Sequence, residues 1–186
     1  MNAVNLDPNT WLDRYGDILF RYSMARVRDK TIAEDLVQDT LLAAISAVDT
    51  YQGASTEQTW LVGILRHKVL DYFRKSARER PVWNELAMES DSDFDGEGSW
   101  ARPVTDWETP EKAAERDEFW HVLRGCLDTL PDNLRTVFAL RELDGLETDQ
   151  LMATLDISTK NNLWVMLSRA RKRVQRCLQT KWFERR

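Results

Sequence analysis

Cysteine and histidine, the residues on which disulfide scaffolds and many metal sites depend, are scarce in this chain. Its 186 residues include two cysteines, Cys126 and Cys177, and two histidines, His67 and His121. The cysteines lie far apart and outside any CxxC motif, so a zinc site is not expected and a reducing, cytoplasmic setting fits best. No role for either cysteine follows from the sequence, and no cofactor is expected.

Long apolar runs and targeting segments are also missing. No hydrophobic stretch approaches the roughly 20 residues of a membrane-spanning helix, and residues 1–11 contain an acid but no basic residue or apolar core. We therefore expect neither membrane insertion nor a secretory signal peptide. A glycine-rich phosphate loop and a cysteine–histidine nucleophile pair are absent too, so neither an enzyme nor a small-molecule substrate is expected.

Negative charge is concentrated in one central stretch. The chain carries a net charge of −5, yet residues 81–111 alone hold nine acidic residues against the single basic Arg102, a net −8. This stretch contains "SDSDFDGEGS", which lacks helix formers and apolar periodicity and is typical of a linker. Residues 1–80 are neutral overall and residues 112–186 carry +3. We therefore predict two small domains, 1–80 and 112–186, joined by a flexible acidic linker.

The spacing of apolar residues predicts helices in both domains, and no segment alternates with period two as a strand would. Three stripes with spacings of three and four are expected in the first domain: Trp11, Tyr15, Ile18, Leu19 and Tyr22; Val37, Leu41, Ala44, Ile45 and Val48; Leu61, Ile64, Leu65, Val69, Tyr72 and Phe73. Capping boxes are expected at Thr31 with Glu34 and at Ser55 with Gln58. The prediction is an all-α fold whose first domain is a three-helix bundle.

The second domain is predicted to end in a helix-turn-helix. It begins near Thr109, and Pro131 opens a helix that stops at Gly145. Thr148 caps the short helix "DQLMATL", and Asp156 stands in the following turn, where a left-handed residue is needed. A short helix, a three-residue turn and a longer basic helix form the arrangement whose second helix enters the major groove of DNA.

The last predicted helix contains no acidic residue between 161 and 178, "NNLWVMLSRARKRVQRCL". Its apolar stripe is expected to face the core: Leu163, Met166, Leu167, Ala170 and Val174. The residues left outside are candidates for contact with DNA: Lys160, Asn161, Asn162, Trp164, Ser168, Arg169, Arg171 and Lys172. A solvated helix face is the alternative. For Trp164 a groove-facing indole and a core tryptophan are both open.

A second basic surface is predicted on the third helix of the first domain. It consists of Arg66, Lys68, Arg74, Lys75 and Arg78, with Asp71 as the only acid among them. Contact with DNA and simple solubility fit this pattern equally well. The preceding loop, "DTYQGASTEQTW", places Tyr51 and Trp60 where aromatic rings could stack an unpaired base. Core packing is the alternative, and for Trp60 we favour it.

The second predicted helix begins with an acidic ridge, "AEDLVQDT". Glu34, Asp35, Gln38 and Asp39 lie at spacings of one and four residues and share one face. A metal site or acid–base pair would need a further ligand type or a nucleophile nearby, and neither is present. A protein-docking surface and a solvated face are the better interpretations.

Two long stretches resemble a known family. "AEDLVQDTLLAAISAVDTYQG…TEQTWLVGILRHKVLDYFRK" resembles region two of bacterial extracytoplasmic-function (ECF) sigma factors. "CLDTLPDNLRTVFALRELDGLETDQLMATLDIS…NNLWVMLSRARKRV" resembles their region four. The resemblance covers roughly residues 15–78 and 115–176 in the family's order. It implies a dissociable subunit of RNA polymerase that confers promoter recognition and is held inactive by an anti-sigma factor.

The resemblance also implies roles for individual residues. Asp35, Gln38, Asp39 and Thr40 correspond to the segment that grips the clamp helices of the polymerase β′ subunit. The loop with Tyr51, Gly53, Ser55 and Gln58 corresponds to the loop that captures a flipped base of the −10 element. The helix from Thr59 to Arg78 corresponds to the helix that reads the −10 element. The last helix corresponds to the −35 reader, and the core polymerase partner includes the β subunit. The acidic linker would run through polymerase channels where RNA later passes.

One departure from the family leaves a question open. "NNLWVML" stands where "GTVKSRL" is usual, so the residues that read −35 bases are not assigned by the resemblance. The rival function is a self-sufficient two-domain repressor or activator. The acidic "EDLVQD" ridge argues against it, because a repressor has no need to hold a polymerase.

Overall fold

The computed structural model describes residues 6–79 and 117–183, and within them the chain is helical without a strand. The expected all-α fold is confirmed. The chain divides into two compact units, Met1–Ser76 and Ala77–Arg186. The predicted linker 81–111 and the predicted helix start near Thr109 lie outside the described residues. The domain limits therefore stay predictions.

Three α-helices form the N-terminal part of the chain: α1 Trp11–Val27, α2 Lys30–Ser46 and α3 Glu57–Glu79. A 3₁₀ turn precedes α1 at Pro8–Thr10, and another follows α2 at Val48–Thr50. α1 packs along α2. The ring of Trp11 meets that of Trp60 edge to face, with centroids 5.9 Å apart, which brings α3 against the start of α1.

The connection between α1 and α2 is only two residues long. Arg28 makes it possible by adopting a left-handed φ of 57°. Asp29 then caps α2, because its Oδ1 accepts a hydrogen bond from the Ile32 N–H at 3.1 Å. The capping box predicted at Thr31 and Glu34 is therefore wrong, since Asp29, two residues before Thr31, is the N-cap of α2.

The α1 and α3 stripes are largely confirmed. Trp11, Tyr15 and Leu19 are buried in α1, and Leu61, Leu65, Val69 and Phe73 are buried in α3. The buried face of α2 is rotated from the predicted one: Ile45 is exposed, whereas Leu36 and Thr40 are buried. Apolar residues occupy both sides of "DLVQDTLLAAI", so spacing alone could not decide which side would pack against α1.

The start of α3 also differs by one residue from the prediction. The hydroxyl of Thr56 accepts a hydrogen bond from the Thr59 N–H at 3.2 Å. The capping box predicted at Ser55 and Gln58 is therefore wrong. Serine and threonine are both good N-caps, and adjacent candidates of the same chemistry cannot be separated by pattern.

Four α-helices form the C-terminal part: α4 Asp117–Leu127, α5 Asp132–Phe138, α6 Thr148–Leu155 and α7 Lys160–Leu178. α5 continues as a π-helical segment, Ala139–Leu143, and α7 as another, Gln179–Phe183. Pro131 stands directly before α5, as predicted. The predicted stop at Gly145 is confirmed, since this glycine has a φ of 66° and ends the helical path.

The predicted helix-turn-helix layout is present as α6, a short turn and α7. The cap of α6 is Glu147 rather than the predicted Thr148, and its N–H donates to the Gln150 side chain at 3.0 Å. Asp156 ends α6 in the predicted left-handed conformation, with a φ of 53°. Thr159 caps α7 by accepting a hydrogen bond from the Asn162 N–H at 3.2 Å.

The core of the second unit is built around α7, which packs against α4, α5 and α6. The predicted stripe is confirmed, because all of its members are buried: Leu163, Met166, Leu167, Ala170 and Val174. After α7 the chain adds the buried Trp182, whose ring meets Phe119 of α4 with centroids 5.6 Å apart. α4 and the end of α7 are therefore held side by side.

A disulfide joins Cys126 of α4 to Cys177 of α7. Their Cα atoms are 5.6 Å apart, within the range that a disulfide spans. Cys126 is fully buried and Cys177 is half-buried. The sequence alone did not pair them, because they are separated by 51 positions and only the packing of α4 on α7 brings them together.

The helices of the described residues are neither membrane spans nor metal cages. None of those helices is long and apolar enough to cross a bilayer. Across residues 6–79 and 117–183, no group of three or more histidine, cysteine, aspartate or glutamate side chains is placed to hold a metal ion.

Candidate protein and nucleic-acid interfaces

The acidic ridge lies on the exposed side of α2. Glu34, Asp35, Gln38 and Asp39 are all exposed, and Glu34 is 3.6 Å from the Lys30 ammonium. Within the described part of the chain, Asp35 and Asp39 take part in no ion pair or hydrogen bond. The ridge therefore presents two uncompensated carboxylates one helical turn apart, which is the arrangement that a basic partner surface matches.

Thr40 does not belong to this surface, and its expected contact with a partner is contradicted. Its side chain is fully buried, and its hydroxyl donates to the Leu36 carbonyl oxygen at 2.7 Å. The reason is helical spacing: Thr40 lies four residues after Leu36 and three after Val37, both of which face α1.

Exposed apolar side chains extend the acidic ridge toward the end of α2. Leu42 and Ile45 are exposed, and they follow Gln38 by four and seven residues on the same face. Glu34 and Gln38 also line a groove of about 450 Å³ between α1 and α2. Charge bordered by exposed apolar surface is typical of a protein-docking site rather than of a purely solvated face.

The loop before α3 is folded back on itself. Gly53 has a φ of 71°, a conformation that favours glycine. The Tyr51 hydroxyl donates a hydrogen bond to the Ser55 carbonyl oxygen across the loop. Ser55 and Gln58 are exposed. The loop therefore offers polar side chains to a ligand while its ends are held together.

The aromatic residues beside this loop pack against one another. Trp60 is half-buried, with its ring centroid 5.0 Å from that of Tyr51 and 5.9 Å from that of Trp11. The packing alternative for Trp60 is therefore supported. Tyr51, also half-buried, is tilted by 47° against Trp60, so any base it meets would join an existing aromatic cluster.

A carboxylate anchors the start of α3 to α1, an arrangement called the Glu57 clasp below. Glu57 accepts hydrogen bonds from the Trp11 indole N–H at 3.0 Å and the Tyr15 hydroxyl at 2.6 Å. The Arg14 guanidinium lies 2.9 Å from the same carboxylate, whose side chain is only 14% exposed. The clasp fixes the C-terminal end of the loop at the place where α3 begins.

The clasp shifts the ionisation of both of its acidic members. Burial alone raises the pKa of Glu57, but the hydrogen bonds from Tyr15 and Trp11 and the charge of Arg14 outweigh it, so the pKa lies below its ordinary value. The hydrogen bond to Glu57, together with burial and the nearby negative charge, raises the pKa of Tyr15. Sequence reasoning missed Glu57, because a glutamate in the first turn of a helix ordinarily needs no partner beyond the helix dipole.

The basic surface predicted on α3 is on the outside of the helix. Arg66, Arg74, Lys75 and Arg78 are exposed and Lys68 is half-buried. Arg74 makes an ion pair with Asp71 at 2.6 Å. This surface follows the loop directly, so a strand of nucleic acid that reached the loop could continue along α3.

The outer face of α7 is more compensated than the sequence indicates. Lys160 and Asn161 are exposed, whereas Asn162, Arg169 and Lys172 are half-buried. The Lys160 ammonium lies 3.2 Å from the Asp149 carboxylate of α6. Arg173 and Arg176, which were not among the predicted contacts, are exposed on the same helix.

Ser168 was predicted to lie outside, and this is wrong, because its side chain is buried. Arg171 was also predicted to project outward, yet its guanidinium is fastened to Glu142 of the π segment. Its Nη2 and Nε lie 2.6 and 3.0 Å from Glu142 Oε1. The burial of Ser168 has a cause in the packing of the unit. α7 is covered by three other helices, so its buried arc is wider than a single apolar stripe.

Trp164 falls between its two alternatives. Its side chain is half-buried, while its indole N–H is buried and has no hydrogen-bond partner within the described residues. Part of the ring therefore belongs to the packed side of α7 and part reaches the surface. This position fits apolar contact with a ligand better than hydrogen-bonded readout.

Comparisons with known proteins match both units of the chain. Residues 11–79 match the family model for sigma-70 region 2. A Haemophilus influenzae protein named "Probable RNA polymerase sigma factor" is 30% identical over 167 residues, which are 88% of this chain and 85% of that protein. The ECF RNA polymerase sigma factor SigM of Bacillus subtilis is 27% identical over 164 residues, with 87% and 88% covered.

A similar chain is found among solved structures. It is from a co-crystal structure of the sigma factor RpoE with the anti-sigma factor NepR from Bartonella quintana. The alignment covers 93% of the present chain and 97% of the other, at 22% sequence identity and a TM-score of 0.45.

Proposed function

Because this chain belongs to the ECF group of the sigma-70 family of RNA polymerase sigma factors, we propose that α2 binds core polymerase and that α3 and α7 bind promoter DNA. The protein is thus a transcription initiation specificity factor and not an enzyme.

The acidic ridge of α2 carries the proposal. Asp35 and Asp39 are exposed and take no part in ion pairs among the described residues, and exposed apolar side chains border them. A helix face of this composition fits a basic helical surface with apolar patches, and we assign it to the clamp helices of the polymerase β′ subunit. Asp35, Gln38 and Asp39 make the contact, whereas Thr40 supports the helix from inside.

The loop and α3 are assigned to the −10 element. We assign the capture of an unpaired base to Tyr51, Gly53, Ser55 and Gln58. The basic residues of α3 then follow the phosphates: Arg66, Lys68, Arg74, Lys75 and Arg78. The Glu57 clasp supports this assignment, because it fastens the end of the loop to α1.

α7 is assigned to the −35 element, and the second unit also contacts the β subunit. Base contacts come from the N-terminal part of α7, as in other helix-turn-helix proteins. Lys160, Asn161 and Asn162 supply polar groups there, and the exposed part of Trp164 supplies apolar contact. Arg169 and Lys172 lie closer to the C-terminal end of α7 and contact phosphates. Ser168 and Arg171 support the fold of the unit instead.

An anti-sigma factor is the remaining proposed partner. The sigma factor RpoE of Bartonella quintana was solved in complex with one, NepR. For the present chain we propose that such a partner acts by covering the acidic ridge, because polymerase could not then reach Asp35 and Asp39. Leu42 and Ile45 would add apolar area to that contact.

The test of this function is a charge reversal on the ridge. We expect Asp39→Arg to abolish binding of the full chain to core polymerase, because facing like charges at a docked surface cost several kcal/mol. Helicity by circular dichroism should be unchanged, since Asp39 is exposed and takes part in no ion pair among the described residues. Binding is measured by pull-down and by sedimentation with purified core enzyme.

Asp49→Arg provides the matched control. Asp49 is an exposed aspartate in the turn after α2, so the variant makes the same change in net charge outside the ridge. It should retain core binding. If Asp39→Arg also retains it, the ridge is not the docking site. The rival repressor function predicts instead that the free protein binds its promoter tightly without polymerase, with the salt dependence that phosphate contacts impose.

A further inference from the structure

The two cysteines occupy positions of unequal access in the second unit. Cys126 lies in α4 and is fully buried, whereas Cys177 lies near the end of α7 and is half-buried. Exchange between a disulfide and an external thiol requires that the thiol reach one of the two sulfur atoms. Cys126 has no exposed surface, so Cys177 is the end of the bridge that solvent partly reaches. The bridge thus has one accessible and one protected end.

The surroundings of Cys177 favour an anionic reaction partner. Arg173 and Arg176 precede it by four residues and one residue, and Lys181 follows it by four. All three side chains are exposed, and residues 161–178 include no acid. Glutathione disulfide is a small anionic molecule at neutral pH, so this basic surface attracts it rather than repels it.

The bridge encloses the whole helix-turn-helix. Between Cys126 and Cys177 lie α5, its π segment, α6 and nearly all of α7. A covalent link across this loop restricts the unfolded chain and ties the two ends of the segment together. The first unit contains neither cysteine, so only the second unit can respond to a change in the bridge.

We propose that Cys126 and Cys177 form a reversible thiol–disulfide exchange site for a low-molecular-weight disulfide of the glutathione class. In oxidation, the Cys177 thiolate attacks glutathione disulfide and releases one glutathione thiolate. The Cys126 thiolate then attacks the Cys177 sulfur of the mixed disulfide and releases the second glutathione. Two protein thiols thereby lose two electrons and two protons, and one glutathione disulfide becomes two glutathione molecules. Reduction follows the reverse path, with entry at the Cys177 sulfur.

The consequence is that the redox state of the thiol pool sets how firmly the helix-turn-helix is held. In a reducing cell the pair is open, and α4 and the end of α7 are held by apolar contacts such as that between Trp182 and Phe119. Under oxidative stress the bridge closes and fastens them. This inference does not depend on the proposed polymerase and promoter contacts, so either can fail without the other.

The first test is a redox titration of the full chain. The protein is equilibrated in mixtures of reduced and oxidised glutathione, quenched in acid, alkylated and analysed by intact mass. We expect the fraction with a bridge to pass from nearly none to nearly all as the ratio of the two forms is varied over the range found between reducing and oxidising compartments. A bridge that stays closed in every mixture, or never closes, would overturn the proposal.

A matched pair of variants tests which sulfur reacts first. Cys126→Ser leaves the accessible Cys177, and we expect it to gain one glutathionyl group on incubation with glutathione disulfide. Cys177→Ser leaves the buried Cys126 and should gain none while folded. Equal modification of both variants, or modification of Cys126 alone, would contradict the proposed entry point.

The wild-type chain gives the same information if either variant fails to fold. After reduction, a limiting amount of maleimide should label Cys177 before Cys126, as read by peptide mapping. The oxidised protein should also show a melting transition of the second unit roughly 10–20 °C above that of the reduced protein. The transition of the first unit should not move. Equal melting in the two redox states would show that the bridge does not hold the helix-turn-helix.

Discussion

Each of the two units is stabilised internally by a different kind of interaction. In the first, a partly buried carboxylate, Glu57, joins α3 to α1 by accepting hydrogen bonds from Trp11 and Tyr15. In the second, α7 is enclosed by three helices through aliphatic side chains, and a disulfide closes the assembly. The first unit therefore adds a hydrogen-bonded carboxylate to its apolar core, and the second adds a covalent bond to its own.

The same contrast holds for the charged surfaces. On α2, Asp35 and Asp39 take part in no ion pairs within the described residues. In the second unit, cations of the basic helix are matched by acids of the same unit, as in Arg171 with Glu142 and Lys160 with Asp149. Charges without an internal ion pair can bind a partner directly, whereas paired charges must first break their internal ion pairs. If the proposed assignments hold, we expect the acidic ridge to bind without losing internal ion pairs, whereas α7 has to break some of its own pairs to contact DNA.

The largest expected effect comes from removing the aromatic member of the clasp. Trp11 is 1% exposed, so Trp11→Ala leaves a cavity and also deprives Glu57 of a donor. We expect a loss of about 3–5 kcal/mol in the free energy of unfolding of the first unit. The measurement is chemical denaturation followed by circular dichroism, with the second unit as an internal reference.

The neighbouring residue provides the control. Leu12 is 62% exposed, so Leu12→Ala removes an apolar side chain of similar chemistry without opening a cavity. Its effect should be within about 0.5 kcal/mol, as for other surface substitutions. Similar losses for the two variants would show that the first unit is not organised around the buried tryptophan.

Several features of the two units could be predicted from the sequence. The buried stripe of α7, the stop at Gly145 and the left-handed Asp156 follow from local rules, namely helical periodicity and the backbone preferences of single residues. Helix caps were displaced by one or two residues, as with Asp29 in place of Thr31. Neighbouring polar residues compete for such positions on nearly equal terms.

The remaining features depend on which elements meet in space, and a single sequence does not contain that information. Glu57 and Tyr15 are 42 positions apart, and the two cysteines are 51 apart. Thr40 and Ser168 have polar side chains at positions that turn inward, because the packed arc of each helix is set by its neighbours. Local pattern identified the basic and acidic surfaces, and tertiary packing then decided which of their members are available.

A smaller effect is expected when only the charge of the clasp is removed. Glu57→Gln keeps the size of the side chain but removes its charge and replaces one acceptor oxygen by an NH2 group, so only one of the two donors, Tyr15 or Trp11, keeps its acceptor. We expect a loss of about 1–2 kcal/mol in the stability of the first unit at neutral pH. Glu34→Gln is the control, because its pair with Lys30 is exposed and worth about 0–1 kcal/mol.

The pH dependence distinguishes this cause from a general loss of packing. The pKa of Glu57 is lower in the folded chain than its ordinary value of 4.5. Its contribution is therefore present above that value and is lost as the pH falls through the folded pKa. The difference in stability between wild type and Glu57→Gln should narrow progressively below about pH 4.5. A difference that stays constant down to pH 3 would mean that the ionised carboxylate is not what stabilises the first unit.

The smallest effect is expected from breaking the ion pair between Arg171 of α7 and Glu142. In Glu142→Gln the Arg171 guanidinium loses its charged partner, which lies 2.6 Å away, at a cost of about 0.5–1 kcal/mol in stability. The freed cation can then neutralise a phosphate. Binding of the full chain to duplex DNA of unrelated sequence should therefore become tighter at low salt. The slope of log affinity against log salt should steepen by about 0.9, the value for one additional phosphate contact.

Glu147→Gln is the matched control in the same unit. It removes the acid 3.3 Å from Arg141, but Arg141 stays fastened to the Leu146 carbonyl at 2.6 Å, so no cation is released. Equal slopes for the two variants would mean that compensation within the second unit does not restrain its affinity for DNA.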